Sequence, residues 1–76
     1  MLALAVTLFL TSGARRVVPE GDAAQMDGTF FMVTRFDTRL ERIRTVLTLR
    51  STDVISAEIQ RADGTTEFVR GAGISA

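Results

Sequence analysis

MLALAVTLFLTSGARR, residues 1–16, opens the chain with ten uncharged residues and then turns polar and basic. Three readings compete for this stretch: a membrane anchor, a secretory leader, or the first strand of a fold. A helical span needs about 20 apolar residues, and this run stops at Leu10 with Arg15 and Arg16 close behind. That excludes the anchor. A leader is served better, because the run ends at Ser12-Gly13-Ala14, a small-residue pattern suited to cleavage after Ala14. Yet no positive charge precedes the run, and arginines would follow the cut directly.

The strand reading rests on alternation. Leu2, Leu4, Val6, Leu8 and Leu10 occupy one parity, and Ala3, Ala5, Thr7 and Thr11 the other, with Phe9 the bulky exception. Large apolar residues alternating with small or hydroxyl ones mark a strand with one face in a core. A leader helix has no reason to keep that period. The expectation is therefore a strand followed by a two-residue Ser12-Gly13 loop, which sets Leu8 opposite Val17. The alternative is a secreted protein with residues 1–14 removed.

Downstream, Pro19-Glu20-Gly21-Asp22 is a turn that ends the second strand. Residues 23–28 read as one helical turn or an irregular connection. Residues 29–36 (TFFMVTRF) and 43–50 (IRTVLTLR) are aromatic and β-branched, and read as strands. Paired across 37–42, they set Phe36 against Ile43, Thr34 against Thr45, Met32 against Leu47 and Phe30 against Leu49, which makes one apolar face. The same register opposes Arg35 to Arg44, and like charges directly opposite are unfavourable. Either Asp37 and Glu41 neutralise them, or the register differs, or an anion belongs there.

Helix remains open over 37–50, where Phe36, Leu40, Ile43 and Leu47 keep helical spacing and Asp37 could cap. It remains open over 54–62 as well, between Ser51-Thr52-Asp53 and Gly64. Asp63-Gly64 between two alternating runs is the strongest hairpin signal in the chain, and a two-residue loop there places Ile59 opposite Phe68. Residues 71–76 read as a mobile tail. The whole is one all-β domain over 1–76, with room for one short helix. It is a small roll or open β-barrel of five to six antiparallel strands.

Composition narrows the chemistry. The 76 residues contain no cysteine and no histidine, so disulfides and a structural zinc site are excluded. All nine basic residues are arginine, balanced by nine acids. Charge is uneven along the chain: 35–50 carries +3 and 51–70 carries −2. Without histidine, cysteine, lysine or tyrosine, the common bases and nucleophiles are missing. Asp22 and Asp27 are the one acid pair with a catalytic reading, and solvated loop acids are the simpler one. The expectation is a non-enzymatic domain without cofactor or metal that acts in the cytoplasm or within a protein assembly. It would associate with itself or serve as a small subunit.

A nucleic-acid reading stands beside it. Small β-barrels bind single strands with arginines and aromatic platforms. Arg35, Arg39, Arg42 and Arg44 form the candidate anion or nucleic-acid contact, with Phe31 as the stacking residue. The pattern Val6, Leu8, Leu10, Gly13, Val17, together with Phe68-Val69-Arg70-Gly71, resembles the two signature motifs of Sm-like RNA-binding proteins. That resemblance implies a five-stranded, ring-forming barrel with Arg70-Gly71 at the RNA. The chain departs from it in lacking the N-terminal helix and in carrying the hairpin at Asp63-Gly64.

Overall fold

Alternation and turn chemistry produce seven strands and no α-helix in the computed structural model, which describes residues 3–74 and the side chains from Ala5 onward. These are β1 (Ala3–Leu10), β2 (Arg15–Val18), β3 (Ala23–Asp27), β4 (Phe30–Asp37), β5 (Arg42–Arg50), β6 (Val54–Arg61) and β7 (Thr66–Arg70). Among the described residues the only helical element is a 3-10 turn at Ser51–Asp53. Neither stretch left open to helix, 37–50 or 54–62, is helical: 38–41 is the hairpin loop, and 42–50 and 54–61 are strands, the first because Thr45, Val46 and Thr48 suit a pleated surface better than a helix. Of residues 23–28, Ala23–Asp27 are also extended rather than helical or irregular, and Gly28 begins the next turn.

All pairings are antiparallel, in a four-stranded sheet ordered β2-β1-β6-β7 and a three-stranded sheet ordered β3-β4-β5. The sheets do not close into one barrel. They share a core of Val6, Leu8, Val18, Val54, Ala57 and Ile59 from the first sheet and Phe31 and Val33 from the second. β1 lies at the centre of this arrangement, hydrogen-bonded to β2 on one side and β6 on the other. Val6 and Leu8 are wholly buried, as the alternation requires. Leu2 lies outside the described residues.

Two hairpins share one loop geometry. Gly13 donates to the Leu10 carbonyl and Leu10 to that of Ala14, both at 3.0 Å. In the same way Gly64 donates to Arg61 at 3.1 Å and Arg61 to Thr65 at 2.9 Å. Each loop therefore has three residues and ends on a glycine at φ near +90° (Gly13 φ 90, Gly64 φ 89). This is a type I turn followed by a bulge, in which the left-handed residue favours glycine. The residue before each glycine props the turn. Ser12 Oγ accepts from Ala14 N at 3.3 Å, and Asp63 Oδ1 accepts from Thr65 N at 2.9 Å.

The extra loop residue moves both registers by one from those expected. Leu8 faces Arg16 and Thr7 faces Val17, so Val18 enters the core and Val17 stays 57% exposed. Ile59 faces Glu67, and Phe68 stands on the solvent side opposite Glu58. The hairpin at Gly28-Thr29 has two residues, with Asp27 opposite Phe30 and Gly28 at φ 58.

The chain does not come loose after β7. Gly71 N donates to Ile55 O at 2.9 Å, Ala72 N to Ser51 O at 3.0 Å and Gly73 N to Val54 O at 2.8 Å. Residues 71–73 are thus laid against the start of β6, where the sequence suggests a mobile tail. Residues 75–76 lie outside the described residues. The partial resemblance to Sm-like proteins does not carry over to the architecture, which has seven strands in two sheets. Gly71 has a packing role here, since a Cβ would collide with the Val54 carbonyl.

Candidate functional site

The β4–β5 hairpin decides where the candidate residues go. Phe36 faces Ile43, Arg35 faces Arg44 and Thr34 faces Thr45, as the sequence predicts. Beyond them a bulge intervenes between Val33 and Thr34, so that Val33 faces Leu47, Met32 faces Thr48 and Phe31 faces Leu49. Val46 is the surplus residue on β5. Pairing two residues against one twists the ladder and swaps which side of β5 each residue occupies. Past the bulge, Phe31 and Val33 on β4 and Leu47 and Leu49 on β5 turn to the core.

On β4 the face expected to be buried is therefore the outer one. Phe30, Met32, Thr34 and Phe36 alternate along the solvent side of β4, with Ile43 beside Phe36 on β5. Phe30 is 51%, Phe36 48% and Ile43 70% exposed. At about 3.3 Å per residue the row runs about 20 Å. Leu40, at the hairpin tip, is exposed too.

The inner side of the same hairpin behaves differently. Arg35 continues the parity of Phe31 and Val33 but is exposed, as is Arg44 opposite it. They line a solvent-open cleft of about 520 Å³. Its other walls are Phe36 and Asp37, the loop residues Thr38 and Arg39, and the turn containing Pro19, Glu20 and Asp22. Of the predicted arginines, the fold brings Arg35, Arg39 and Arg44 together and leaves Arg42 outside the cleft. Phe31 is 1% exposed, in the core, and offers no stacking surface. Phe36 borders the cleft, but its side chain belongs to the outer row. Parity alone could not place Phe31, because residues 30–33 are apolar on both sides.

Two aspartates hold the cleft in shape. Asp37 Oδ1 accepts from Arg39 N at 3.0 Å and Leu40 N at 3.2 Å, and Oδ2 accepts from Arg44 Nη1 at 3.3 Å. The loop amides and the Arg44 guanidinium hold the Asp37 carboxyl below its ordinary value, with the Leu40 amide as the leading cause. Asp22 Oδ2 accepts from Phe36 N at 3.0 Å and so ties the β2–β3 turn to β4. Asp22 and Asp27 flank opposite ends of β3, about 16 Å apart, so the fold does not assemble them as an acid pair.

Among the described residues only two carboxylate–arginine pairs form, Arg44–Asp37 at 3.3 Å and Arg61–Glu67 at 2.6 Å. Among the described residues, Arg35 and Arg39 have no carboxylate within 4.0 Å. Among the described residues there is no group of three acids placed to hold a metal ion, and no helix long and apolar enough to cross a membrane.

Fold and site together define a small two-sheet, all-β domain with an apolar outer face and an arginine-lined cleft on the same hairpin. The chain matches no protein-family model, no curated protein and no solved structure.

Proposed function

We propose that this is a non-enzymatic interaction domain whose partner is a second copy of itself, docked through the outer face of β3-β4-β5. The observation that carries the reading is the exposed Phe30, Phe36 and Ile43, with half-buried Met32 in the same row, on the central and edge strands of that sheet. Contiguous apolar surface that a monomer leaves in water is costly, and such patches mark interaction sites. An identical face laid over it across a twofold axis would cover both rows at once.

The uneven charge along the sequence could also join copies head to tail, but two of the four acids in 51–70 are already engaged. Glu67 is already paired with Arg61, and Asp63 is committed to its own turn. The outer row itself carries no charge, so two copies meet without like-charge repulsion at its centre. A strip of this length falls short of the about 800 Å² per partner of a standard interface. The pairing is accordingly weak, in the micromolar range, unless further surface joins it.

Sedimentation equilibrium over a concentration series tests this. The expected result is reversible self-association that Ile43→Asp abolishes. A wild-type chain that stays monomeric at about 100 µM, well above such a dissociation constant, overturns the reading, and so does an oligomer indifferent to Ile43→Asp.

A further inference from the structure

Four strands lie at sheet edges, and β5 is the longest of them. It runs nine residues, against four or five for β2, β3 and β7. β4 occupies one side of it, and among the described residues no strand pairs with the other side. The direction of its backbone groups follows from β4. The Thr34 carbonyl accepts from Asp22 N at 2.8 Å, Phe36 N donates to Asp22 Oδ2 at 3.0 Å, and Phe30 closes the two-residue hairpin on Asp27. These alternate residues of β4 turn their N–H and C=O groups toward β3. Their partners across the β4–β5 ladder, Thr45, Ile43 and Arg50, therefore turn theirs outward, and Thr48 opposite Met32 does the same. An exposed row of unpaired donors and acceptors is a template for a further strand.

Charge decides which strand fits. β5 carries Arg42, Arg44 and Arg50 and no acid. Pairing it with β5 of a second copy would bring together three arginines from each chain, and centring the pair on Val46 would set Arg42 directly against Arg50. Charges and a bulge on an edge guard it against pairing with its like. Against an acidic strand the arginines are no guard. Asp37 meets Arg44 at 3.3 Å, whereas Arg42 and Arg50 have no carboxylate within 4.0 Å among the described residues. Between those two arginines, Val46, Leu47 and Leu49 are half-buried at the margin of the core, where the two sheets do not close.

We propose that the free edge of β5 takes up an extended acidic segment of another protein, as a fourth strand of the β3-β4-β5 sheet. Main-chain hydrogen bonds to the outward groups of Ile43, Thr45, Thr48 and Arg50 supply the affinity, and side chains on alternate sides supply the specificity. Acids at the two ends of the segment meet Arg42 and Arg50, and small β-branched residues on its inner side cover Leu47 and Leu49. The bulge at Val46 interrupts the row and keeps the pairing weak. Face-to-face pairing of copies uses side chains of the outer face and leaves this edge open, so the two associations are separate.

The test is a chemical-shift and amide hydrogen-exchange titration of the full chain at low salt, with three blocked peptides as long as β5. The first alternates valine with threonine and ends in aspartates. The second has arginines in place of the aspartates, and the third is the first with prolines at its centre, which removes N–H donors. The first is expected to shift the amides of Ile43, Thr45, Thr48 and Arg50 saturably and to slow their exchange, while those of Leu47 and Leu49, already in the ladder, change little. Arg42→Glu with Arg50→Glu should weaken that binding about tenfold or more, and Arg15→Glu, on the edge strand β2, should leave it unchanged. No saturable shift up to about 1 mM peptide overturns the inference, as does binding indifferent to the double variant. The arginine or proline peptide binding as well as the first also overturns it. Protection of the same amides that rises with protein concentration, without peptide, assigns the edge to a second copy and overturns it as well.

Discussion

Gly21 sits against Val33 so closely that a Cβ on it would come within 2.5 Å of Val33 Cγ1, and within 2.9 Å of Val6 Cγ2. Val6 belongs to the four-stranded sheet and Val33 to the three-stranded one, so the glycine marks where the chain crosses between them with no room to spare. Gly21→Ala must displace side chains from both sheets and should cost about 1–3 kcal/mol. Gly13→Ala should also destabilise, by about 1–2 kcal/mol, for a different reason. Space is open around Gly13, but its φ of 90° strains any residue with a Cβ. Urea denaturation measures both, and Val33→Ala should relieve Gly21→Ala while leaving Gly13→Ala unaffected.

Stability should fall in acid through the hairpin loops. The Asp37 and Asp63 carboxyls both lie below the ordinary 3.8, Asp37 chiefly through the Leu40 amide and Asp63 chiefly through the Thr65 hydroxyl. A group with a depressed folded value favours the native state while it is ionised. Its contribution is complete above the unfolded value, about pH 4, and is lost as pH falls through the lower folded value. Denaturant midpoints should therefore drop below pH 4, and Asp37→Ala with Asp63→Ala should flatten that part of the profile.

Ile43→Asp should leave the fold intact. The side chain is 70% exposed, and changes at such positions are usually within about 0.5 kcal/mol. Leu8→Ala, wholly buried, should cost about 2–5 kcal/mol. Comparing the two by thermal melts separates an effect on association from an effect on folding.

A chain that begins at Arg15 should not fold. It lacks β1, which pairs with β2 and β6 at once and supplies Val6 and Leu8 to the core. Circular dichroism of the truncated chain checks this, and a native strand spectrum would contradict it.

Existence of the strands was legible wherever alternation met a turn residue, as in β1, β6 and β7. Register was less so. Ser12-Gly13 and Asp63-Gly64 announce hairpins, but sequence does not distinguish a two-residue loop from a three-residue loop ending on the same glycine. One residue of loop moves every partner by one and sends Val18 inward in place of Val17. In β4 the difficulty is different: Phe30-Phe31-Met32-Val33 is apolar on both faces, so period-2 patterning has nothing to choose between. The bulge at Val46 then lets Thr34 keep its expected partner while Met32 loses its own. β3 escaped notice because Ala23-Ala24-Gln25-Met26-Asp27 has no β-branched residue and little strand preference. For the cleft, the opposition of Arg35 and Arg44 was readable from the hairpin. The contribution of Pro19 and Glu20 was not, since it depends on how the two sheets pack.

The pairing of β1 with β6 also orders events in time. Thr7 must find Glu58, while β2, β4 and β7 each meet a partner only a short loop away. Closing so long a loop is entropically slow compared with forming the hairpins. During synthesis β1 would wait with one edge bare until β6 emerged, and for that interval Val6 and Leu8 would have no cover from it. The growing chain is thus most prone to aggregate just before its last two strands are made.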